Sequence, residues 1–336
     1  MKRCLDLAYR GCGNVATNPM VGSVIVYNDK IIGEGYHEKY GSNHAEVNAI
    51  ANVNDKGLLS KSTLYVNLEP CAHFGKTPPC SDLIIRCKIP KVVIGCIDIF
   101  SEVSGKGIAM MRNANIEVVV GVLEKESRDL NKKFFSFHEK KRPYIILKWA
   151  RSKDGFIAPH NQSGAFWMTS YQSKKLVHQW RAAEDAILIG RVTAQKDNPT
   201  LTVREVAGNN PVRIVIDKEL KLRNELNLFN DDATTIIFNA YKSEHSSCLK
   251  LIKIDFNNGL LENILHELYK LNIQSVIVEG GAITLKSFIN ENIWDEARIF
   301  TVKNNLFDGV KSPDLRSELI ENQKVGNDYL EIIKND

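Results

Sequence analysis

The sequence has no long apolar run. Its longest apolar stretches, such as residues 91–96 and 273–278, are short and broken by polar residues, whereas a helix that spans a bilayer needs about 20 apolar residues. The N-terminal stretch contains an acid, Asp6, and lacks the extended apolar segment of a secretory signal. These absences predict a soluble protein of the cytoplasm with no membrane partner.

Cysteine is scarce, and its count of seven is odd. An odd number does not suit a disulfide framework, and in a reducing compartment cysteines serve as metal ligands or as small buried apolar side chains. Cys71 and Cys80 are set apart by the motifs around them. The other cysteines have no partner pattern and are predicted to be structural: Cys4, Cys12, Cys87, Cys96 and Cys248.

Two sequence patterns are also missing. No Gly-x-Gly-x-x-Gly follows a predicted strand, so a Rossmann-type dinucleotide site is not supported. The two halves of the chain share no repeated period, so an internal duplication is not indicated. What is present, 43% apolar and 25% charged residues, is the composition of an ordinary globular protein.

Apolar runs of β type alternate with helical patterns along the chain, which predicts α/β architecture. In the first half, strands are predicted at residues 21–27, 31–35, 63–67, 92–95 and 116–121, with helices near 44–52, 81–87, 106–113 and 124–138. In the second half, strands are predicted at 144–149, 186–190, 213–217, 234–239 and 275–279, with helices near 170–183, 260–271 and 282–291.

The length of 336 residues exceeds what one hydrophobic core usually serves, so two domains are expected. We place their boundary at Pro143, because a proline disfavours helix at the residue before it. The predicted domains are residues 1–143 and 144–336.

A basic stretch precedes this boundary. Such a stretch is one feature of nucleic-acid-binding surfaces, but no interleaved aromatic platform beyond Phe134, Phe135 and Phe137 accompanies it. A solvated helix end and linker is therefore the favoured interpretation, and no nucleic-acid partner is expected. The basic residues are Lys132, Lys133, Lys140, Lys141 and Arg142, with Glu139 opposing them.

Three residues of the first half form a candidate catalytic zinc site. His44 opens a helical stretch, and Cys71 and Cys80 bound a loop that follows a predicted strand. One imidazole and two thiolates suit tetrahedral Zn²⁺ and leave the fourth position for water, which marks a catalytic site. Glu46 is not needed as a ligand, so it is predicted to move a proton from water to a leaving amine. His73 is predicted to be a loop residue and not a ligand.

His-x-Glu followed by Pro-Cys and a second Cys is the signature of zinc nucleobase deaminases. The usual spacing is Cys-x-x-Cys, whereas here the loop runs through Gly-Lys-Thr-Pro-Pro before Cys80. This loop and residues 18–22, Asn-Pro-Met-Val-Gly, resemble the deaminase domain of the bifunctional deaminase/reductase family of riboflavin biosynthesis. The resemblance implies a cytidine-deaminase-like three-layer α/β/α domain.

Segments of the second half resemble the reductase domain of the same family, a dihydrofolate-reductase-like α/β domain, over nearly all of residues 144–300. These segments are 148–155, 167–170, 197–204 and 278–282. The last contains a Gly-Gly turn that opens a helix, where main-chain N–H groups bind phosphate. Ala165 stands where the family often has a serine that contacts the substrate, and the tail after Thr301 matches poorly.

The resemblance assigns residues to each ligand of the reductase. Two arginines in the substrate set suit a dianionic phosphate. NADPH is expected against Ala150, Trp167, Thr193, Asp197 and the segment Gly281, Ala282, Ile283, Thr284, Leu285, Lys286 and Ser287. The ribosyl phosphate substrate is expected against Arg181, Leu201, Arg204 and Glu279.

The resemblance implies a two-step enzyme with a small-molecule substrate. The first domain would remove the 2-amino group of 2,5-diamino-6-ribosylamino-4(3H)-pyrimidinone 5′-phosphate by zinc-dependent hydrolysis, and the second would reduce the ribosyl group to ribityl with NADPH. Two alternatives stay open. A nucleic-acid-editing deaminase would bind RNA in a salt-dependent manner, and a zinc-stabilised binding protein would release no ammonia. The sequence also leaves homo-oligomerisation open.

Overall fold

The computed structural model describes residues 1–15, 17–72, 78–99, 104–161, 164, 166–315 and 317–335. The chain divides into two compact units, Met1–Lys141 and Arg142–Asp336, next to the boundary predicted at Pro143. None of the helices in the described part of the chain is long and apolar enough to cross a membrane.

The first unit has one five-stranded sheet with helices on both sides. The strand order is β2-β1-β3-β4-β5, in which β1 is antiparallel to β2 and β3, and β3, β4 and β5 are parallel. The strands are β1 (Gly22–Tyr27), β2 (Lys30–Tyr36), β3 (Thr63–Leu68), β4 (Lys91–Cys96) and β5 (Glu117–Val120). The helices are α1 (Lys2–Tyr9), α2 (Ala45–Ala51), α3 (Cys80–Arg86), α4 (Lys106–Asn113), α5 (Glu124–Leu130) and α6 (Lys132–Lys140), with a 3₁₀ helix at Lys56–Lys61.

Alternating side chains of the strands divide the apolar residues of this unit between two faces. Ile25 and Leu64 pack with buried residues of α2, α3 and α4, whereas Val24, the neighbour of Ile25, packs with α1. Phe135 of α6 packs with Leu68 and Cys96 in a separate cluster. The three-layer α/β/α arrangement is thus confirmed.

One predicted helix is two helices in the structure. Residues 124–138 were expected to form a single helix, but Asn131 interrupts it with φ −104° and ψ 22° and separates α5 from α6. The Asn131 amide accepts a hydrogen bond from the Met20 N–H at 2.8 Å and donates one to the Met20 carbonyl at 2.9 Å. The break therefore comes from a contact distant in sequence, which local helical pattern cannot indicate.

The second unit is built on a ten-stranded sheet. Its order is β11-β12-β10-β9-β8-β13-β6-β14-β17-β16. The strands of this sheet are β6 (Tyr144–Arg151), β8 (Ala186–Gly190), β9 (Val212–Ile216), β10 (Thr235–Asn239), β11 (Glu244–His245), β12 (Leu249–Lys253), β13 (Ser275–Val278), β14 (Glu296–Thr301), β16 (Glu318–Val325) and β17 (Asp328–Lys334). Strands β7 (Phe156–Ala158) and β15 (Val310–Lys311) form a separate two-stranded sheet. The helices are α7 (Tyr171–Ala183), α8 (Arg191–Asp197), α9 (Leu260–Lys270) and α10 (Ala282–Asn290), with a 3₁₀ helix at Asn227–Phe229.

The central strands of this sheet, from β12 to β14, are parallel. Their residues are buried on both faces, as in β6 and β13, which explains their nearly continuous apolar runs. The chain moves outward from β8 to β12 and then returns to place β13 between β8 and β6. Such a reversal of strand order leaves a crevice at the carboxyl ends of the strands, where ligands bind in open α/β sheets.

The tail after Thr301 completes the sheet. Strands β16 and β17 form an antiparallel hairpin, and β17 pairs with β14. The poor match of this tail to the family pattern therefore does not reflect a missing element.

Candidate active sites

Three side chains of the first unit converge at one point. The ligand atoms of His44, Cys71 and Cys80 all lie within 4.8 Å of one another. The Nδ1 atom of His44 is 3.5 Å from the Cys71 Sγ and 3.4 Å from the Cys80 Sγ. The structure thus brings together the three residues that the sequence predicts as zinc ligands.

Each of the three comes from the end of a secondary-structure element. His44 is the N-cap residue of α2, Cys71 follows β3, and Cys80 is the first residue of α3. The Cys80 N–H donates to the Cys71 Sγ at 3.3 Å, and the Ser81 N–H and hydroxyl both donate to the Cys71 carbonyl. The first turn of α3 therefore fixes the position of Cys71 and stabilises negative charge on its sulfur.

The electrostatics of the cluster favour a thiolate at Cys71, whereas the hydrogen bond with Cys71 and burial raise the pKa of the Cys80 thiol. Hydrogen bonds from Cys80 and from His44 lower the pKa of Cys71 to about 4, against the opposing effect of burial. The hydrogen bond to Cys71 in turn raises the pKa of His44 to about 9. A thiolate is the form of cysteine that binds metal.

The donor set fits zinc. Ligand bonds of about 2.0–2.3 Å in tetrahedral geometry place neighbouring N and S donors roughly 3.5 Å apart, which agrees with the two N–S distances. Within the described part of the chain, no fourth His, Cys, Asp or Glu joins the cluster. Three protein ligands leave one position for water, as catalytic zinc sites require.

Glu46 lies beside this cluster and outside it. It belongs to the first turn of α2 and is only 3% exposed. Burial raises its pKa, against the opposing effect of the charge on His44. A raised pKa makes the carboxyl group a better proton acceptor than an ordinary glutamate, which suits a general acid–base residue.

His37 is a neighbour that the sequence reasoning missed. Its buried ring meets the ring of His44 edge-on at 5.6 Å between centroids. The His37 Nδ1 is 3.0 Å from the Asn43 carbonyl, and its Nε2 is 3.0 Å from the Nδ2 of Asn18. The carbonyl can only accept, so Nδ1 carries the proton and Nε2 accepts from Asn18. His37 thus connects the Asn-Pro segment to the zinc cluster.

Glu69, which precedes Pro70 and Cys71, is a second missed residue. Its buried carboxylate accepts hydrogen bonds from the N–H groups of Asp98, Gly105 and Ile108. The same region is tightly packed, since a Cβ on Gly107 would lie 2.2 Å from the Pro70 carbonyl oxygen. Glu69 therefore attaches the start of α4 to the segment that carries Cys71.

We expect Glu69→Gln to destabilise the first unit by about 1–3 kcal/mol, because the new amide NH₂ would face a main-chain N–H that has lost its acceptor. Denaturant unfolding followed by circular dichroism, together with deaminase activity against temperature, measures the change. Glu38→Gln, which alters an exposed carboxylate of the same unit, is the matched control. Equal stability of the two variants would contradict this role of Glu69.

In the second unit, the carboxyl end of β13 carries a buried charge cluster. The Arg181 guanidinium forms a two-point ion pair with Glu279, with N–O distances of 3.2 and 2.8 Å. The Lys148 Nζ lies 3.7 Å from the same carboxylate. Although burial opposes ionisation, the charges of Arg181 and Lys148 lower the pKa of Glu279 to about 2.

This cluster gives Arg181 a protein partner that the sequence did not indicate. The sequence suggests that Arg181 and Arg204 together clamp a phosphate, but the guanidinium of Arg181 is already paired with Glu279, and the residue is 6% exposed. Lys148 was not assigned a role from the sequence, and its place in this cluster is a finding of the structure. The contact of Arg181 with the substrate stays a prediction, to which the structure adds the ion pair with Glu279.

Arg204 lies close to this cluster. Burial and the positive charge of Arg181 lower its pKa, and its guanidinium donates to the hydroxyls of Thr200 and Thr202. Leu201, in the same segment, is buried and has φ 53°, a left-handed conformation that is costly for a residue other than glycine. Strain of this kind is common where a segment is shaped for a ligand.

The residues predicted for NADPH fall into two groups. Thr193 of α8 accepts a hydrogen bond from the Gly281 N–H at 3.0 Å, and Asp197 ends the same helix. Gly281 is the N-cap of α10. The structure therefore joins Thr193 to the Gly-Gly turn at the carboxyl edge of the sheet.

Within the segment 281–287 the side chains differ in direction. Ile283 is 81% exposed, whereas Leu285 is fully buried in the core. Leu285 cannot use its side chain for a cofactor, so the prediction for this residue holds at most for its main chain. Ala282, Thr284, Lys286 and Ser287 are half-buried or exposed.

The other predicted cofactor residues are Trp167 and Ala150. Trp167 is 50% exposed and has the Lys174 ammonium over its ring at 5.5 Å. Ala150 packs beside Phe300 and Leu330. Two sequence predictions, for His73 and Ala165, lie outside the described residues.

Comparison with known proteins covers both units. Residues 1–96 match the cytidine and deoxycytidylate deaminase zinc-binding region, and residues 143–330 match the RibD C-terminal domain. The riboflavin biosynthesis protein RibD of Aquifex aeolicus (strain VF5) is 43% identical over 329 residues, which cover 96% of this chain and 91% of the relative. The chain belongs to the RibD family.

Solved structures of RibD proteins have the same fold along the whole chain. One is the diaminohydroxyphosphoribosylaminopyrimidine deaminase/5-amino-6-(5-phosphoribosylamino)uracil reductase of Thermotoga maritima. It has a TM-score of 0.91 at 36% identity and covers 100% of this chain and 97% of that one. RibD of Acinetobacter baumannii has a TM-score of 0.89 at 29% identity, with the same coverage.

Family membership accounts for both sites. The chain is a bifunctional enzyme of riboflavin biosynthesis, with a zinc-binding deaminase domain and a RibD reductase domain. Its cofactors are Zn²⁺ in the first domain and NADPH in the second. The predicted fold class of both domains is confirmed.

Proposed function

We propose that residues 1–143 hydrolyse the 2-amino group of 2,5-diamino-6-ribosylamino-4(3H)-pyrimidinone 5′-phosphate, and that residues 144–336 reduce the ribosyl group of the product. The final product is 5-amino-6-ribitylamino-uracil 5′-phosphate. One observation carries the proposal: a His/Cys/Cys cluster with an open position lies beside a buried carboxylate that is not a ligand. The two activities in the name of the Thermotoga relative support the order of the steps.

In the deaminase, His44, Cys71 and Cys80 are the residues that would hold zinc. Bound zinc acts as a Lewis acid that brings the pKa of water at the open position towards neutrality. Glu46 would accept a proton from the attacking water and deliver it to the departing amine, so that a carbonyl oxygen replaces the amino group and ammonia is released. The buried position of Glu46 keeps the proton transfer away from bulk solvent.

In the reductase, the crevice at the carboxyl edge holds both ligands. We assign the cofactor to Ala150, Trp167, Thr193, Asp197 and the main chain of residues 281–287. NADPH supplies a hydride for C1′ of the opened ribose. We assign the ribosyl phosphate substrate to Arg181, Leu201, Arg204 and Glu279, with Arg204 at the phosphate. Arg181 and Lys148 also hold Glu279 in place.

Arg204→Ala tests this assignment. Loss of a charge-assisted hydrogen bond to phosphate costs about 1.5–3 kcal/mol, so the KM for the ribosyl phosphate should rise by at least about tenfold while the KM for NADPH stays unchanged. Steady-state kinetics with each ligand varied in turn separate the two constants. Lys270→Ala, which removes an exposed cation of α9, should change neither. An effect confined to NADPH would reverse the assignment.

We also propose that the enzyme works in the cytoplasm on this small-molecule substrate. The chemistry supports this location, since thiolate ligands require a reducing compartment.

A further inference from the structure

Helix α7 presents a row of basic side chains to the segment that carries Arg204. Lys174, His178 and Arg181 follow one another at helical spacing and lie on one side of the helix. The Lys174 Nζ is 2.6 Å from the Oε1 of Glu205, and the His178 Nδ1 accepts a hydrogen bond from the Arg204 N–H at 3.1 Å. The helix therefore holds this segment at two consecutive residues.

The ring of His178 is neutral and fully enclosed. The residue is 0% exposed, and because Nδ1 accepts a hydrogen bond, the ring proton lies on Nε2. Within the described part of the chain, the Nε2 has no hydrogen-bond partner. Burial and the charges of Arg181 and Arg204 lower the pKa of His178 to about 4, so the ring keeps its acceptor at neutral pH.

A neutral hydrogen-bond acceptor suits position 178 better than a carboxylate or an apolar side chain. A carboxylate beside Arg181 and Arg204 would pair with them and cancel the positive charge that attracts a phosphate. An apolar side chain would leave the half-buried Arg204 N–H without this acceptor. The segment needs such support, because Leu201, shortly before Arg204, has a strained left-handed conformation.

We propose that His178 is a positioning residue of the reductase, which holds Arg204 in place for the substrate phosphate by accepting the Arg204 N–H at Nδ1. This proposal rests on the proposed role of Arg204. Nothing in the deaminase depends on it.

Two substitutions in the full-length enzyme separate the two ring nitrogens. In His178→Asn the amide oxygen takes the place of Nδ1 and keeps the acceptor, whereas in His178→Gln the amide takes the place of Nε2 and leaves the Arg204 N–H unpaired. We expect His178→Gln to raise the KM for the ribosyl phosphate on the order of tenfold, with kcat and the KM for NADPH unchanged. His178→Asn should stay within about threefold of the unsubstituted enzyme.

The same measurement in the Arg204→Ala background shows whether His178 acts through Arg204. If it does, His178→Gln adds nothing to the KM of Arg204→Ala, since the two changes remove one function. An unchanged KM for NADPH shows that each variant is folded, and His266→Gln, at an exposed histidine of α9, is the matched control.

Three results would overturn the proposal. The KM for the ribosyl phosphate could rise less in His178→Gln than in His178→Asn, it could rise equally in both, or His178→Gln could raise it further in the Arg204→Ala background. Failure of the proposed function looks different, because Arg204→Ala alone would then leave the KM for the ribosyl phosphate unchanged.

Discussion

Glu46→Gln should abolish ammonia release while the protein keeps its zinc. Glu46 is buried beside the ligand cluster, and burial raises its pKa. The amide has nearly the same shape but cannot carry the proton from water to the amine. General acid–base assistance is worth about 10²–10⁴-fold, so the kcat of deamination should fall by that factor.

Elemental analysis measures whether Glu46→Gln keeps its zinc, and a coupled assay measures its ammonia release. Glu38→Gln, at an exposed carboxylate of the same unit, should leave both unchanged. Reductase activity of Glu46→Gln on supplied deaminated substrate should be normal. Loss of zinc from the folded variant would show that Glu46 is part of the metal site and not a proton carrier.

Cys71→Ser and Cys80→Ser should each lose zinc and deamination together. A serine hydroxyl is not ionised at neutral pH, so either change leaves two of three protein ligands for zinc. Cys71 has the larger structural role, because both the Cys80 N–H and the first turn of α3 hold it in place. We expect no detectable ammonia release from either variant, and reduction of supplied deaminated substrate should continue, since the reductase residues all belong to the second unit.

The matched control is Cys87→Ser, which changes a half-buried cysteine at the end of α3 that lies outside the cluster. This variant should keep zinc and both activities. If Cys71→Ser also loses reduction of supplied product, the two activities are not independent, and their assignment to separate domains is wrong.

The strands of the first unit, the zinc cluster, and strands β6, β8, β9, β10 and β13 of the second unit could be predicted from local sequence. The other strands of the second unit, among them β12, β14 and β17, were missed. The strand predicted at 63–67 is β3 at Thr63–Leu68, because its apolar run is buried and is bounded by polar residues. His44, Cys71 and Cys80 each lie at the end of an element, and element ends carry local signals such as the prolines before Cys71 and Cys80. The roles of these residues stay predictions until the variants are measured.

Contacts between distant residues could not be predicted in this way. Asn131 has a sequence context suited to helix, and its hydrogen bonds to Met20 break the helix. Strand β16 has exposed residues along nearly its whole length, so it shows none of the alternation that identifies a strand with one buried face.

The resemblance located the reductase residues but not the direction of their side chains. It placed Leu285 against the cofactor, whereas this side chain lies in the core. It grouped Arg181 with Arg204, whereas Arg181 is paired with Glu279. His178 gave no signal in the sequence, because a lone histidine on a helix face most often belongs to the packed interior.

Product analysis tests the central claim most directly. The full-length enzyme with zinc is incubated with 2,5-diamino-6-ribosylamino-4(3H)-pyrimidinone 5′-phosphate, with and without NADPH, and the products are identified by mass. We expect the deaminated ribosylamino-uracil phosphate and ammonia without NADPH, and the ribitylamino-uracil phosphate with it. Absence of ammonia in both reactions, or unreduced ribosyl product in the presence of NADPH, would contradict the assignment of a deaminase and a reductase to this chain.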